Sequence, residues 1–180
     1  MRRVSAIANQ TLQFYRQSTN PQDVWGRDLF ESVVSLYQGR LLNCRIEVQK
    51  RMRADLPMTC FEGEIRQVLN NLILNAIDVM HATGGRLLVR SRTSTEWGTG
   101  RKGVTLTVAD TGAGMSAQVM KNIFEPFFTT KGIGGTGLGL WVSEDIVKRH
   151  RGTLRVRSRQ RATGGGTVFA LFIPFDGPSR

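Results

Sequence analysis

The stretch DTGAGMSAQVMKNIFEPFFTTKGIGGTGLGL, residues 110–140, decides how the rest of the chain is interpreted. It holds seven of the chain's 20 glycines. An acidic residue opens a first glycine turn, an aromatic cluster follows, and a second glycine cluster leads into a helical pattern. Glycine lets backbone amides approach a ligand closely, and amides at the start of a helix bind phosphate. The stretch therefore predicts a binding site for a ligand with an anionic group.

A helix is predicted before this stretch, over residues 62–80, because apolar residues recur there at steps of three and four. Asn71, Asn75 and Asp78 follow one another at steps of four and three, so they share one face of that helix. Taken alone, this polar face is equally compatible with internal hydrogen bonds and with a ligand.

The other segments alternate between helical and strand patterns without the strict βαβ rhythm of a Rossmann domain. This order favours an α/β fold, a two-layer sandwich with helices packed on one face of a mixed β-sheet, preceded by an amphipathic helix. The remaining helices are predicted at 2–17, 29–42 and 137–150, and the strands near 46–48 and 58–61 and at 87–91, 104–109, 154–158 and 167–173.

The formal net charge of +11 raises the question of whether the chain binds an anionic partner. The basic residues are scattered, apart from a local concentration of arginines between residues 149 and 161. We interpret them as a solvated surface and expect no nucleic-acid partner.

Two further features concern the compartment. Cys44 and Cys60 have neither CxxC spacing nor histidines at metal-ligand spacing, so we expect two packed, reduced thiols. No apolar run approaches the roughly 18 residues of a membrane span, and no signal-peptide core is present. We expect this fragment to be cytoplasmic without membrane contact, which leaves open a membrane anchor in a longer parent chain.

Four motifs occur in order: NLILNAID (71–78), DTGAGM (110–115), IFEPFF (123–128) and GTGLGL (135–140). They resemble the N, G1, F and G2 boxes of the Bergerat-type ATPase fold. Residues from about 23 to 175 are similar to the catalytic ATP-binding domain of bacterial sensor histidine kinases. The resemblance implies a catalytic domain at 21–180, with 1–20 as the end of a dimerisation hairpin helix and its linker.

The resemblance also implies roles for single residues, with ATP and Mg²⁺ as cofactors. Asp110 accepts the adenine amine, near a hydroxyl at Thr167. Asn75 ligates Mg²⁺. Asn71 approaches the phosphates at a position that is typically a glutamate base in hydrolytic relatives. The expected ligand contacts are Asn71, Asn75, Asp110, Gly112, Gly114, Lys131, Gly135, Thr136, Gly137, Leu138, Gly139 and Thr167.

Between the two glycine clusters, residues 115–135 are expected to form a lid over the nucleotide. Three aromatic residues, Phe124, Phe127 and Phe128, are expected to anchor this lid in an apolar groove. Many family members carry arginine where this chain has Thr129, so we expect Lys131 to supply the phosphate cation. Asp78 is expected to cap the helix or serve another structural role.

The implied activity is that of a protein-histidine kinase that donates the γ-phosphate of ATP to a histidine on a separate helical hairpin. That hairpin, and indirectly a response regulator, are the expected partners. Neither His81 nor His150 lies in a phosphoacceptor motif, so the fragment is expected to lack its own acceptor. Two alternatives remain open: an ATPase that acts as a conformational switch, which Asn71 argues against, and a basic nucleic-acid-binding module.

Overall fold

The structure, a computed structural model, describes residues 20–131, 135–160 and 165–178. The helix expected at 2–17 lies outside these residues. The described part contains five helices and seven strands. In chain order they are β1 Gln22–Val24, α1 Gly26–Leu36, α2 Gln38–Asn43, β2 Ile46–Arg53, β3 Met58–Cys60, α3 Glu62–Met80, β4 Gly85–Thr95, β5 Lys102–Asp110, α4 Ala117–Asn122, α5 Gly139–Arg149, β6 Thr153–Arg159 and β7 Gly166–Pro174.

Five strands form a mixed sheet in the order β2-β4-β5-β7-β6. Strands β2 and β4 are parallel, and the other three pairs are antiparallel. Because successive side chains of a strand point to opposite faces, the apolar positions of these strands collect on one face, where the helices cover them. The predicted fold class, helices on one face of a mixed sheet, is confirmed.

The longest helix, α3, supplies the centre of the core. Its apolar residues recur at three and four positions because that spacing keeps one stripe of the helix against the sheet. Every residue of the stripe is at most 2% exposed: Ile65, Val68, Leu69, Leu72, Ile73, Ala76, Ile77 and Met80. Burying so many branched side chains fixes the rotation of α3, and therefore the direction of its polar face.

The structure departs locally from the predicted elements. The helix expected at 29–42 is two helices that break at Tyr37, and Leu36 is 68% exposed rather than buried. Strand β1 was not predicted, and it pairs with β3 in a small separate sheet. Cys44 and Cys60 are free and buried, as expected. In the part of the chain that the structure describes, no helix is long and apolar enough to cross a membrane.

Candidate functional site

A cleft of about 380 Å³ lies beside the polar face of α3, close to the ends of β5 and β7 and the start of α5. It brings together most of the residues that the sequence motifs singled out, although they come from distant parts of the chain. Gly112 and Leu138 are expected contacts that do not line it. Those that do are Asn71, Asn75, Asp110, Gly114, Lys131, Gly135, Thr136, Gly137, Gly139 and Thr167.

At one side of the cleft, Asp110 ends strand β5. Its Oδ1 accepts a hydrogen bond of 2.9 Å from the Gly112 backbone N–H, so Gly112 orients the carboxylate without lining the cleft. Burial raises the pKa of Asp110 above its ordinary value, and the backbone N–H groups of Gly112 and Thr167 oppose this rise. Thr167 pairs with Asp110 across the sheet, and its hydroxyl shares a 2.9 Å hydrogen bond with Ser158.

A lysine ammonium occupies the polar face of α3. Lys131 Nζ donates to Asn75 Oδ1 at 2.6 Å and to Asp78 Oδ2 at 2.7 Å. The other carboxylate oxygen of Asp78 accepts from Arg40 at 3.0 Å. The side chain of Asp78 thus forms two ion pairs rather than capping the helix. Two oxygens of α3 converge on one cation position.

The remaining polar residue of this face, Asn71, joins α3 to the first turn of α5. Its Nδ2 donates to the Gly139 carbonyl at 3.0 Å and to the Ser143 hydroxyl at 3.1 Å. Ser143 is fully buried and also donates to the Gly139 carbonyl. The amide of Asn71 therefore holds the start of α5 against α3, and it presents no group that can accept a proton at this side of the cleft.

The second glycine cluster turns tightly before α5. Gly137 has a φ of +68°, and a Cβ there would overlap the Phe127 backbone, so only glycine fits this position. The Leu138 N–H donates to the Thr136 hydroxyl at 3.4 Å, and Leu138 does not line the cleft. The expected contact of its backbone amide with a ligand stays a prediction.

The aromatic cluster behaves differently from the prediction in one respect. Phe124 and Phe128 pack against the core, as expected for residues that anchor this segment. Phe127 is 70% exposed and has a φ of +66°, so its side chain anchors nothing here. Its N–H donates to the Gly137 carbonyl at 3.0 Å, and this bond ties the segment to the turn before α5.

The sequence motifs did not predict an apolar wall that lines the cleft. Helix α4 lies in a segment that was expected to be a loop, and Ser116 caps it by accepting from the Val119 N–H at 3.3 Å. A serine followed by this short apolar spacing is the sequence signal that could have revealed the helix. The wall consists of Met115, Val119, Ile123, Leu140 and Phe169.

The comparisons with known proteins agree with this arrangement. A family model described as histidine kinase-, DNA gyrase B-, and HSP90-like ATPase matches residues 61–177. The chain belongs to this ATPase family. It is 31% identical to the signal transduction histidine-protein kinase AtoS of Escherichia coli K12 over 175 residues, which is 96% of this chain and 27% of AtoS.

Two solved structures extend the comparison. The catalytic domain of histidine kinase ThkA superposes with a TM-score of 0.72 at 28% identity, over 87% of this chain and 99% of that one. Full-length ShkA, solved in complex with AMPPNP, superposes with a TM-score of 0.73 at 28% identity, over 96% of this chain and 36% of ShkA. Within the ATPase family, the chain is therefore of the sensor histidine kinase type. It spans about a quarter or less of the first curated relatives, between 19% and 27% of their length.

The two histidines of this kinase-type ATPase domain have different surroundings. His81 follows α3 and is exposed. His150 is 0% exposed, accepts from the Phe61 N–H at 3.1 Å through Nε2, and lies 2.8 Å from the Ile146 carbonyl through Nδ1. Both ring nitrogens are engaged, and the neutral tautomer with hydrogen on Nδ1 satisfies both bonds.

Because His150 is buried, the stability of the fold is expected to depend on pH. Desolvation lowers its pKa below the ordinary value, although the Ile146 carbonyl and the Glu64 carboxylate oppose this change and Arg149 reinforces it. The unfolded chain takes up the proton first, at about pH 6.5. Stability contributed by neutral His150 is therefore complete above that pH and falls as the pH drops, by at most about 1.4 kcal/mol per pH unit.

Urea unfolding between pH 7.5 and 5.5 tests this prediction. We expect His150→Gln to be less stable than the wild type, and its free energy of unfolding to fall less on acidification. His81→Gln should behave like the wild type. An unchanged pH dependence in His150→Gln would show that other groups cause the decline.

Proposed function

We propose that this chain binds Mg-ATP in the cleft and presents the γ-phosphate to a histidine on a separate dimerisation domain. One observation carries the proposal: a single cleft is lined both by the Asp110 carboxylate and by the oxygens of Asn75 and Asp78 that converge on a cation. A nucleotide needs such a pair of sites, one for its base and one for its phosphates and metal.

The Asp110 side of the cleft suits adenine. A carboxylate accepts hydrogen bonds, and the exocyclic amine of adenine donates them, whereas guanine would place an oxygen acceptor at the same position. Opposing two acceptors in a half-buried site costs on the order of 1–3 kcal/mol. The apolar wall that contains Val119, Ile123 and Phe169 supplies the surface against which a planar base can pack.

The side formed by α3 suits Mg²⁺. This ion prefers hard oxygen ligands, often one or two from the protein with the rest from phosphates and water. Asn75 Oδ1 and Asp78 Oδ2 already share one cation, the Lys131 ammonium, which shows that their positions suit a positive charge. Asn75 would hold the ion, whose charge would offset that of the phosphates during transfer.

Lys131 would then contact a phosphate. Its side chain is 41% exposed and that of Asp78 is 35% exposed. Ion pairs this accessible stabilise by only about 0–1 kcal/mol, so their exchange is easy. In this proposal Lys131 exchanges its bond to Asn75 for one to a phosphate oxygen, while Asp78, whose other oxygen binds Arg40, keeps Lys131 near α3.

The identity of Asn71 favours phosphotransfer over hydrolysis. A hydrolytic ATPase needs a base to activate water, and an amide that donates to Gly139 and Ser143 cannot take a proton. An imidazole acceptor is already a nucleophile near neutral pH and needs no such base. A response regulator would receive the phosphate afterwards, as the partner of the whole kinase.

The proposal predicts adenine-selective, metal-dependent binding and transfer. Calorimetry with ATP, ADP and GTP in Mg²⁺ is expected to show that both adenine nucleotides bind and that GTP binds at least about 10-fold more weakly than ATP. With a separately supplied dimerisation hairpin, labelled phosphate should appear on its histidine. ATP turnover without any acceptor would instead support the conformational-switch ATPase, and failure to bind ATP would refute both.

A further inference from the structure

The face of the main sheet opposite the helices is strongly basic. Side chains at alternate positions of β2, β4 and β6 point to this face, because the intervening positions pack into the core. We call it the arginine face. Its basic residues are all arginines: Arg51, Arg53, Arg86, Arg90, Arg92, Arg155, Arg157 and Arg159. One acidic residue of these strands, Glu47, shares it.

The arginines therefore account for most of the chain's net charge of +11. In the sequence they are separated by apolar residues and by whole helices, and only the sheet order gathers them. Within the described ranges, none of the eight has a carboxylate within 4.0 Å. In the sheet register Arg86 lies directly opposite Glu47, and the other seven arginines have no acidic cross-strand partner.

Two details show that this face is costly for the isolated fold. Arg51 lies directly opposite Arg90, and Arg53 directly opposite Arg92, in the β2–β4 register. Like charges directly opposite each other on a sheet are destabilising. At the centre, Arg90 and Thr107 are cross-strand partners, and Arg90 Nε and Thr107 Oγ1 are buried without any hydrogen-bond partner. Buried polar atoms without partners are uncommon and call for an explanation.

We propose that the arginine face is a docking surface for the acidic face of a protein partner. Among the described residues of these strands, Glu47 is the one carboxylate on this face. Residues 1–19 contain three arginines and no acidic residue, and the same face of a second copy would be equally basic. An acidic surface on a protein partner would supply the counter-charge.

The composition of the face favours a protein over other polyanions. Protein interfaces are enriched in arginine and depleted of lysine, with an apolar centre and a polar rim. Here β5 and β7 provide small or apolar residues, including Ala109, Ala170 and the 39% exposed Val168, between the arginines of β4 and β6. Single-stranded nucleic acid is bound by stacking on exposed aromatic rings, but the aromatic residue here, Phe172, is 6% exposed.

The position of the face fits this role. The nucleotide cleft is lined by Thr167 and Phe169, which point to the opposite side of β7. A partner on the arginine face would therefore leave the cleft open. The proposal is independent of the proposed kinase function, because failure of either leaves the other intact.

A binding comparison tests the proposal. The probes are a fluorescent polyglutamate peptide, a DNA duplex, and vesicles of phosphatidylcholine with phosphatidylserine, all at low salt. The variant Arg90→Gln with Arg155→Gln removes two charges from one row across the face, in which Thr107 and Ala170 lie between them. The control, Arg45→Gln with Lys148→Gln, removes two exposed charges elsewhere. Thermal unfolding checks that both fold, and ATP binding should be unchanged in both.

We expect the wild type to bind polyglutamate, the face variant to bind it at least about tenfold more weakly, and the control to stay within about twofold. Equal weakening by both variants would mean that only net charge matters, and it would overturn the proposal. So would a face-dependent loss of duplex or vesicle binding without a loss of peptide binding, since the partner would then be a nucleic acid or a lipid surface.

Discussion

Asp110→Asn is expected to weaken ATP binding by about 100-fold without unfolding the domain. The variant's amide oxygen can still accept the Gly112 N–H at the position of Oδ1. Its amide nitrogen then replaces the second carboxylate oxygen and opposes the amine of adenine, donor against donor. The lost charge-assisted bond and the unpaired donors together cost about 2–3 kcal/mol. Calorimetry at constant Mg²⁺ measures the effect.

The matched control is Asp145→Asn, which makes the same chemical change at an exposed carboxylate of α5. It should leave ATP affinity unchanged. GTP affinity separates base recognition from general damage, because an amide donor at residue 110 tolerates the oxygen of guanine. The ratio of ATP to GTP affinity should therefore fall in Asp110→Asn, and full retention of ATP affinity would contradict the role of Asp110.

The raised pKa of Asp110 adds a pH test to the same experiment. A protonated carboxyl group donates from its hydroxyl and no longer matches the adenine amine. Since burial raises this pKa, ATP affinity should begin to fall at a higher pH than an ordinary aspartate would cause. The same acidification should change the affinity of Asp110→Asn much less, because its amide does not titrate.

The sequence was sufficient for features that depend on local order. The three- and four-residue apolar spacing over 62–80 predicts α3, because only one helical rotation buries that stripe. This rotation in turn puts Asn71, Asn75 and Asp78 on one face. The glycine motifs likewise predict the cleft, since Gly137 adopts a backbone conformation that excludes other residues.

Features that depend on distant contacts were not predictable. Nothing local to Lys131 or Asp78 shows that they are ion-paired across 53 positions of sequence. Phe127 is apolar and therefore expected to be buried, yet it has a left-handed backbone conformation, its N–H donates to the Gly137 carbonyl, and its side chain is exposed. The arginines of β2 and β4 lie far in sequence from the concentration of arginines that includes β6, and only the register and the strand order place them all on one face.

Asn75→Ala is expected to abolish most of the enhancement that Mg²⁺ gives to ATP binding. The variant removes the neutral oxygen that would hold the ion, while Asp78 remains available to Lys131 through its 2.7 Å bond. Losing a residue that only hydrogen-bonds to a metal ligand typically costs about 10–100-fold, and losing a ligand itself costs more. We therefore expect ATP affinity measured in the presence of Mg²⁺ to fall by roughly 100-fold. Nucleotide titrations in Mg²⁺ and in EDTA measure ATP affinity with and without the metal ion.

In EDTA the variant and the wild type should bind ATP with similar affinity, because Asn75 acts through the ion. Asn43→Ala, a helical and exposed asparagine outside the cleft, is the control and should behave like the wild type in both arms. Equal losses with and without Mg²⁺ would show that Asn75 contacts the nucleotide directly. In that case Asp78, the other oxygen at the shared cation position, becomes the candidate metal ligand, and Asp78→Asn should show the metal-specific loss instead.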